Sequence, residues 1–110
     1  MKTMKVMEAL REAMCIRMRE DQDVLLMGED VGRFGSCFGV SAGMFDEFGP
    51  ERVRDTPISE GAIIGAAIGS AAAGLRPIAE IMFSDFLTVA MDQLVNNAAF
   101  MHYMLSSSST

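Results

Sequence analysis

Glu60 ends the segment Asp55-Thr-Pro-Ile-Ser-Glu and stands directly before a run, Gly61 to Leu75, that carries no charge until Arg76. A lone carboxyl at the mouth of such a small, apolar run has two uses. It can be a first-turn acid favoured by the positive end of a helix. It can also be a group whose proton does chemistry, because burial beside apolar residues disfavours the ionised form. A second acid, Glu29, lies in Gly28-Glu-Asp30 at the head of a glycine-rich stretch, where taken alone it reads as a solvated loop carboxylate. A third stretch, AEIMFSDF from Ala79 to Phe86, sets an aromatic ring after an apolar run. By themselves Ile58, Met82 and Phe86 read as ordinary packing residues.

Other chemistry is scarce. Cys15 and Cys37 form no C-x-x-C pair, and with a single histidine, His102, they cannot furnish a closed zinc site, so no metal site is expected. Free thiols are expected rather than a disulfide. His102 reads as a surface or interface residue. The eleven methionines read as gap-filling bulk in a chain with few aromatics. A net charge of −6, with nine Lys and Arg that do not cluster, argues against a nucleic-acid partner. The N-terminus is charged throughout and lacks the apolar core of a signal peptide. The charge-free run is too short and too glycine-rich to span a bilayer. The chain reads as cytoplasmic, with no membrane partner.

The elements that must position these residues follow from periodicity. Met7, Leu10, Met14 and Met18 recur at helical spacing, which predicts an amphipathic helix over Met4 to Glu20. Val24 to Gly28 is apolar on both faces, as a buried parallel strand is. The stretch after it, up to Gly43, is a long irregular loop, and loops of that length in a compact domain are usually functional. MFDEFG predicts a short helix, Arg52 to Asp55 a short strand, and Ser59 the N-cap of the next helix. Gly61, Gly65 and Gly69 are four apart, so that helix has a face without side chains on which another backbone can come close. Gly74 closes it at the C′ position. Arg76 to Phe83 is the next buried strand, and Asp85 to Leu105 the next helix. The alternation predicts an α/β fold, a parallel sheet flanked by helices.

In this order and spacing, GED, DTPISE and AEIMFSDF, with DQLVNNAA behind them, resemble the β subunits of thiamine-diphosphate-dependent 2-oxo acid dehydrogenases of the pyruvate dehydrogenase type. The resemblance runs from Met4 to Leu105. It implies the pyrimidine-binding domain of the transketolase-like family over residues 1–105, with the Ser/Thr stretch 106–110 as a tail outside it. It makes Glu60 catalytic: the family's glutamate hydrogen-bonds N1′ of the cofactor's aminopyrimidine ring and shares a proton with it, which activates the thiazolium carbon for attack on a 2-oxo acid. Glu29, Ile58, Met82 and Phe86 are implied to be cofactor-binding with it. Glu29 lies by the ring and Ile58 is the apolar residue two before the glutamate. Met82 stands where some members have glutamine, and Phe86 packs on the pyrimidine. The implied cofactor is thiamine diphosphate, its Mg²⁺ held mainly by a partner α subunit, because the GDG…N signature is absent here. The implied partners are that α subunit, in an α2β2 heterotetramer, and a lipoyl acyltransferase core. Pyruvate is the favoured substrate. Acetoin dehydrogenase β subunits and transketolase-like enzymes share the glutamate and are the alternatives, and a non-catalytic assembly module docking through the glycine face is the rival of a different class. The family's β subunits run well beyond this length, so the chain is expected to be an incomplete piece, inactive alone.

Overall fold

The computed structural model describes residues 4–101; His102, the end of the helix expected to reach Leu105, and the Ser/Thr tail lie outside the described residues. The first helix, α1, runs Val6–Glu20, followed by β1 (Val24–Gly28), α2 (Met44–Phe48), β2 (Val53–Asp55), α3 (Glu60–Ala72) and β3 (Arg76–Glu80). The strands form one parallel sheet in the order β2-β1-β3, with Gly28 level with Asp55 on one side and with Glu80 on the other. The predicted parallel sheet flanked by helices is the observed architecture.

Alternation along β1 divides the core in two. Val24 and Leu26 face α1 and α2, where they pack with Cys15, Met18, Val31, Met44 and Val53. Leu25 and Met27 face the opposite way, against Ile63 of α3. All five residues of β1 are buried, as its apolar run requires of a central strand. The predicted stripe of α1 holds at Met14 and Met18, which pack into the core together with Cys15, whereas Leu10 is 53% exposed. Arg52 does not join β2; its guanidinium donates to the carbonyls of Met18, Asp21 and Val24 and lies over the Phe48 ring. It thereby satisfies carbonyls left open at the end of α1.

Several expectations are corrected. β3 spans only Arg76–Glu80 and is at most half-buried, because among the described residues it pairs on one side alone. Ser59 occupies the N-cap of α3 but makes no side-chain capping bond. Of the three spaced glycines only Gly65 meets another element, and that is the Gln93 side chain, 3.4 Å from where a Cβ would sit; Gly61 and Gly69 face open space. The single helix expected from Asp85 onward is instead a 3-10 helix, Ser84–Ala90, then a wider π-helical stretch, Gln93–Ala99. The Thr88 hydroxyl donates to the Asp85 carbonyl, competing with regular backbone bonding. The side chains of Asn96 and Asn97 donate to those of Asp92 and Gln93 one turn earlier, which supports the helical stretch. Gly74, by contrast, has the positive φ (107°) predicted for it.

The chain leaves β1 towards β2, then returns past β1 to β3. In open α/β sheets, ligands bind outside the carboxyl ends of the strands at such a reversal. The segments that follow β1, β2 and β3 carry Glu29, Glu60 and Phe86.

Candidate active site

Gly28 ends β1 in a space that admits no side chain: a Cβ there would lie 2.9 Å from the Glu80 carbonyl oxygen and 2.9 Å from Val31 Cγ1. Glu29 follows at once and is only 6% exposed. Asp30 then turns the chain in the left-handed region (φ 54°), and its carbonyl accepts the Ser36 N–H at 2.6 Å. The loop that continues to Gly43 is irregular but held. The Ser41 hydroxyl donates to the Val31 carbonyl at 2.7 Å. Arg11 of α1 donates to the carbonyls of Gly39 and Val40. Ser36, also at positive φ (71°), is buried and accepts the Val40 N–H.

On the neighbouring strand, the Thr56 N–H donates to the Gly28 carbonyl at 2.9 Å and continues the β1–β2 ladder one rung past the strand end. Pro57, Ile58 and Ser59 then lead to Glu60, the first residue of α3, which is half-buried. Burial, chiefly, and the negative charges of Glu60 and Asp30 push the Glu29 carboxyl above its ordinary value. Glu80, at the end of β3, is raised as well, by burial. The argument from burial that the sequence attaches to Glu60 therefore finds its place at Glu29 and Glu80. A solvated reading of Glu29 is wrong for this structure.

The aromatic side of the site comes from β3 outward. α3 packs against the 3-10 helix that carries Phe86. The Phe86 ring meets Phe83 edge-on at 5.5 Å, and Phe83 meets Phe38 of the loop edge-on at 5.4 Å. Phe86 remains 40% exposed, which leaves ring surface for a ligand. Met82 is half-buried and lines a cleft of about 270 Å³ with Leu10, Met14, Phe38 and Glu80. Ile58 projects into solvent, 83% exposed, and touches no core cluster. The structure thus couples Glu29 with Glu60 and groups Phe86 with further rings, while Met82 belongs to the α1 side of the sheet.

Glu80, Asp55, Phe38 and Phe83 are not singled out by sequence reasoning. A signal existed for Glu80, a lone charge inside the apolar run Ile78 to Phe83. For Phe38 there was none, since its partner is distant in the chain. A buried acid with a second acid near it and a flat apolar ring suit a nitrogen heterocycle that takes up and releases a proton. They fit the pyrimidine half of thiamine diphosphate. Among the described residues no group of three or more His, Cys, Asp or Glu is placed to hold a metal ion, and no helix is long and apolar enough to cross a membrane.

Residues 2–107 match the family model described as the pyrimidine binding domain of transketolase. The chain is 46% identical over 103 residues to a 2-oxoisovalerate dehydrogenase subunit beta of Bacillus subtilis, covering 94% of this chain and 32% of that protein. It is 50% identical over 99 residues to a pyruvate dehydrogenase E1 component subunit beta of Rickettsia bellii, covering 90% of this chain and 30% of the relative. An acetoin:2,6-dichlorophenolindophenol oxidoreductase subunit beta of Bacillus subtilis is 46% identical over 109 residues, covering 88% of this chain and 32% of the relative. The chain spans about a third of the length of these curated relatives. It belongs to the transketolase pyrimidine-binding domain family, as a domain of the 2-oxo acid dehydrogenase β-subunit type.

Proposed function

We propose that this chain forms the pyrimidine side of a thiamine-diphosphate site in the β subunit of a cytoplasmic 2-oxo acid dehydrogenase. It would be completed by an α subunit that holds Mg²⁺ and the diphosphate, and would deliver its acyl product to a lipoyl acyltransferase core. The observation that carries the reading is the buried Glu29 beside Glu60, at the carboxyl ends of the parallel strands. Thiamine diphosphate, when bound, supplies an acidic carbon that adds to the substrate carbonyl and accepts its electrons.

The chain's own residues bind and handle a proton. Glu60, at the first turn of α3, holds the proton exchanged at N1′ of the ring. Glu29 is the second acid of the site, buried directly after the end of β1. Phe86 offers the flat apolar surface, with Phe83 set edge-on behind it. Ile58, exposed before Glu60, is free to pack on a ligand that arrives with the partner, and Met82 contributes packing from the α1 side.

Pyruvate is the favoured substrate, in line with the identity to the pyruvate enzyme's subunit. The long match to the acetoin enzyme's subunit supports acetoin as the second reading. The test is Glu60→Gln in the assembled α/β enzyme. Turnover of pyruvate, 2-oxoisovalerate and acetoin is followed with an artificial electron acceptor, alongside exchange of the cofactor C2 proton by NMR. The near-isosteric amide keeps the fold but cannot exchange a proton with the ring, so both rates should fall together by about 10²–10⁴-fold. Near-normal C2 exchange would return Glu60 to a first-turn helix acid. Association with the α subunit that ignores Glu60, without cofactor binding, would favour an assembly module.

A further inference from the structure

We infer that Asp55 is a positioning residue: its carboxylate fixes the loop that carries Glu29 to the segment that leads to Glu60. The inference rests on the thiamine-diphosphate reading for its functional consequence, and on geometry for the contact itself. Asp55 Oδ1 accepts the Gly32 N–H at 2.7 Å, from a residue 23 positions earlier in the chain. Gly32 is buried beneath the Asp55 side chain, which supplies the acceptor for its N–H. The fit is two-sided. A Cβ at Gly32 would fall on Asp55 Oδ2 and come within 2.9 Å of its Oδ1 and carboxyl carbon.

The bond does not stand alone. One residue on, the Thr56 N–H donates to the Gly28 carbonyl, so residues 28–32 and 55–56 are tied at two points. Glu29 lies between the two anchor points of its own segment. Glu60 lies four residues beyond the anchor of the other, across the stiff Pro57. What the side chain at 55 must supply is an oxygen at a fixed point, which Asn provides as well as Asp.

The experiment uses the assembled α/β enzyme with Asp55→Ala, Asp55→Asn and Gly32→Ala, and Glu60→Gln as the control. Amide hydrogen exchange over residues 29–43 is read by mass spectrometry on the cofactor-free assembly. Exchange of the thiamine diphosphate C2 proton is read on the loaded one. Asp55→Ala should speed loop exchange roughly tenfold, the loss of one hydrogen bond to a charged acceptor. It should slow C2 exchange by about 10²-fold, as misplacement of a reacting group does. Asp55→Asn should restore both. If Asp55→Ala does not assemble, Gly32→Ala breaks the same tie from the other side and should show both effects.

Loop exchange that is unchanged in the variant lacking the tie overturns the inference. So does a loosened loop with normal C2 exchange, or an Asn variant as impaired as Ala. Should Glu60→Gln itself keep normal C2 exchange, the cofactor reading falls. Loop exchange then still decides whether Asp55 anchors the loop.

Discussion

A carboxyl that folding takes out of water and sets near other acids keeps its proton to higher pH than the same carboxyl in an open chain. Glu29 is in that position, raised by burial first and then by Glu60 and Asp30. The sign of the consequence follows from linkage. Between the ordinary glutamate value and the raised one, the folded state holds a proton that the unfolded state has released. Stability from this group is therefore complete below the ordinary value and is lost as pH rises through the raised one. Glu29→Gln needs no proton, so its melting temperature should gain on that of the parent chain as pH rises through that window, with no gain below it. Thermal melts of both proteins across the window, compared at each pH, read this directly. The comparison is needed because Glu80 is raised too and adds the same sign, whereas Arg19 lowers Glu47 and opposes it. A difference that stayed constant as pH rose would show that Glu29 is ionised and solvated. Its burial was not legible in Gly28-Glu-Asp30. It depends on the missing Cβ at Gly28, the left-handed turn at Asp30 and the loop folding back over both.

Among the elements, the strands were the most legible, because β1 is apolar at every position and only a strand covered on both faces uses such a run. Helix starts and stops were readable to within a few residues where glycine or proline marks them, as at Gly74 and Pro57. What a helix face meets was not readable. The four-residue glycine spacing of α3 is genuine, yet Gly61 and Gly69 face open space and Gly65 faces a side chain. The consequence is an asymmetry along one face. Gly65→Leu would drive a branched side chain into Gln93, at a cost of about 1–3 kcal/mol. Gly69→Ala adds a methyl in open space and restores helix propensity, for a gain of up to about 1 kcal/mol. Chemical denaturation of the two variants should move the midpoint in opposite directions. Equal losses at both positions would mean that the whole face is packed. The segment after β3 failed for a different reason. Its apolar spacing is helical, yet the helix tightens and then widens, and only Thr88, whose hydroxyl donates to the Asp85 carbonyl, offers a local cause.

At the scale of the molecule, three strands form a sheet whose outer members, β2 and β3, each pair on one side among the described residues. Phe83, Phe86, Val89, Met91, Val95 and Phe100 all stand at least 40% exposed. An apolar surface of that extent marks a contact face. The site shares Phe83 and Phe86 with that surface. It offers rings and acids to a heterocycle, but the other half of thiamine diphosphate is a multiply charged anion. The chain carries a net charge of −6, which opposes the approach of that anion. Repulsion of this kind lowers both affinity and association rate unless cations are brought to the site. The isolated 110-residue chain should therefore give no binding heat when thiamine diphosphate and Mg²⁺ are titrated into it. It should also show no decarboxylation of pyruvate. Adding the α subunit to the complete β subunit should restore the heat, and Glu60→Gln should leave much of it in place, because affinity rests on the anion's partners and turnover on the proton. Tight, Mg²⁺-dependent binding by the chain alone would show that it carries its own anion site, and the division of labour between the two subunits would have to be redrawn.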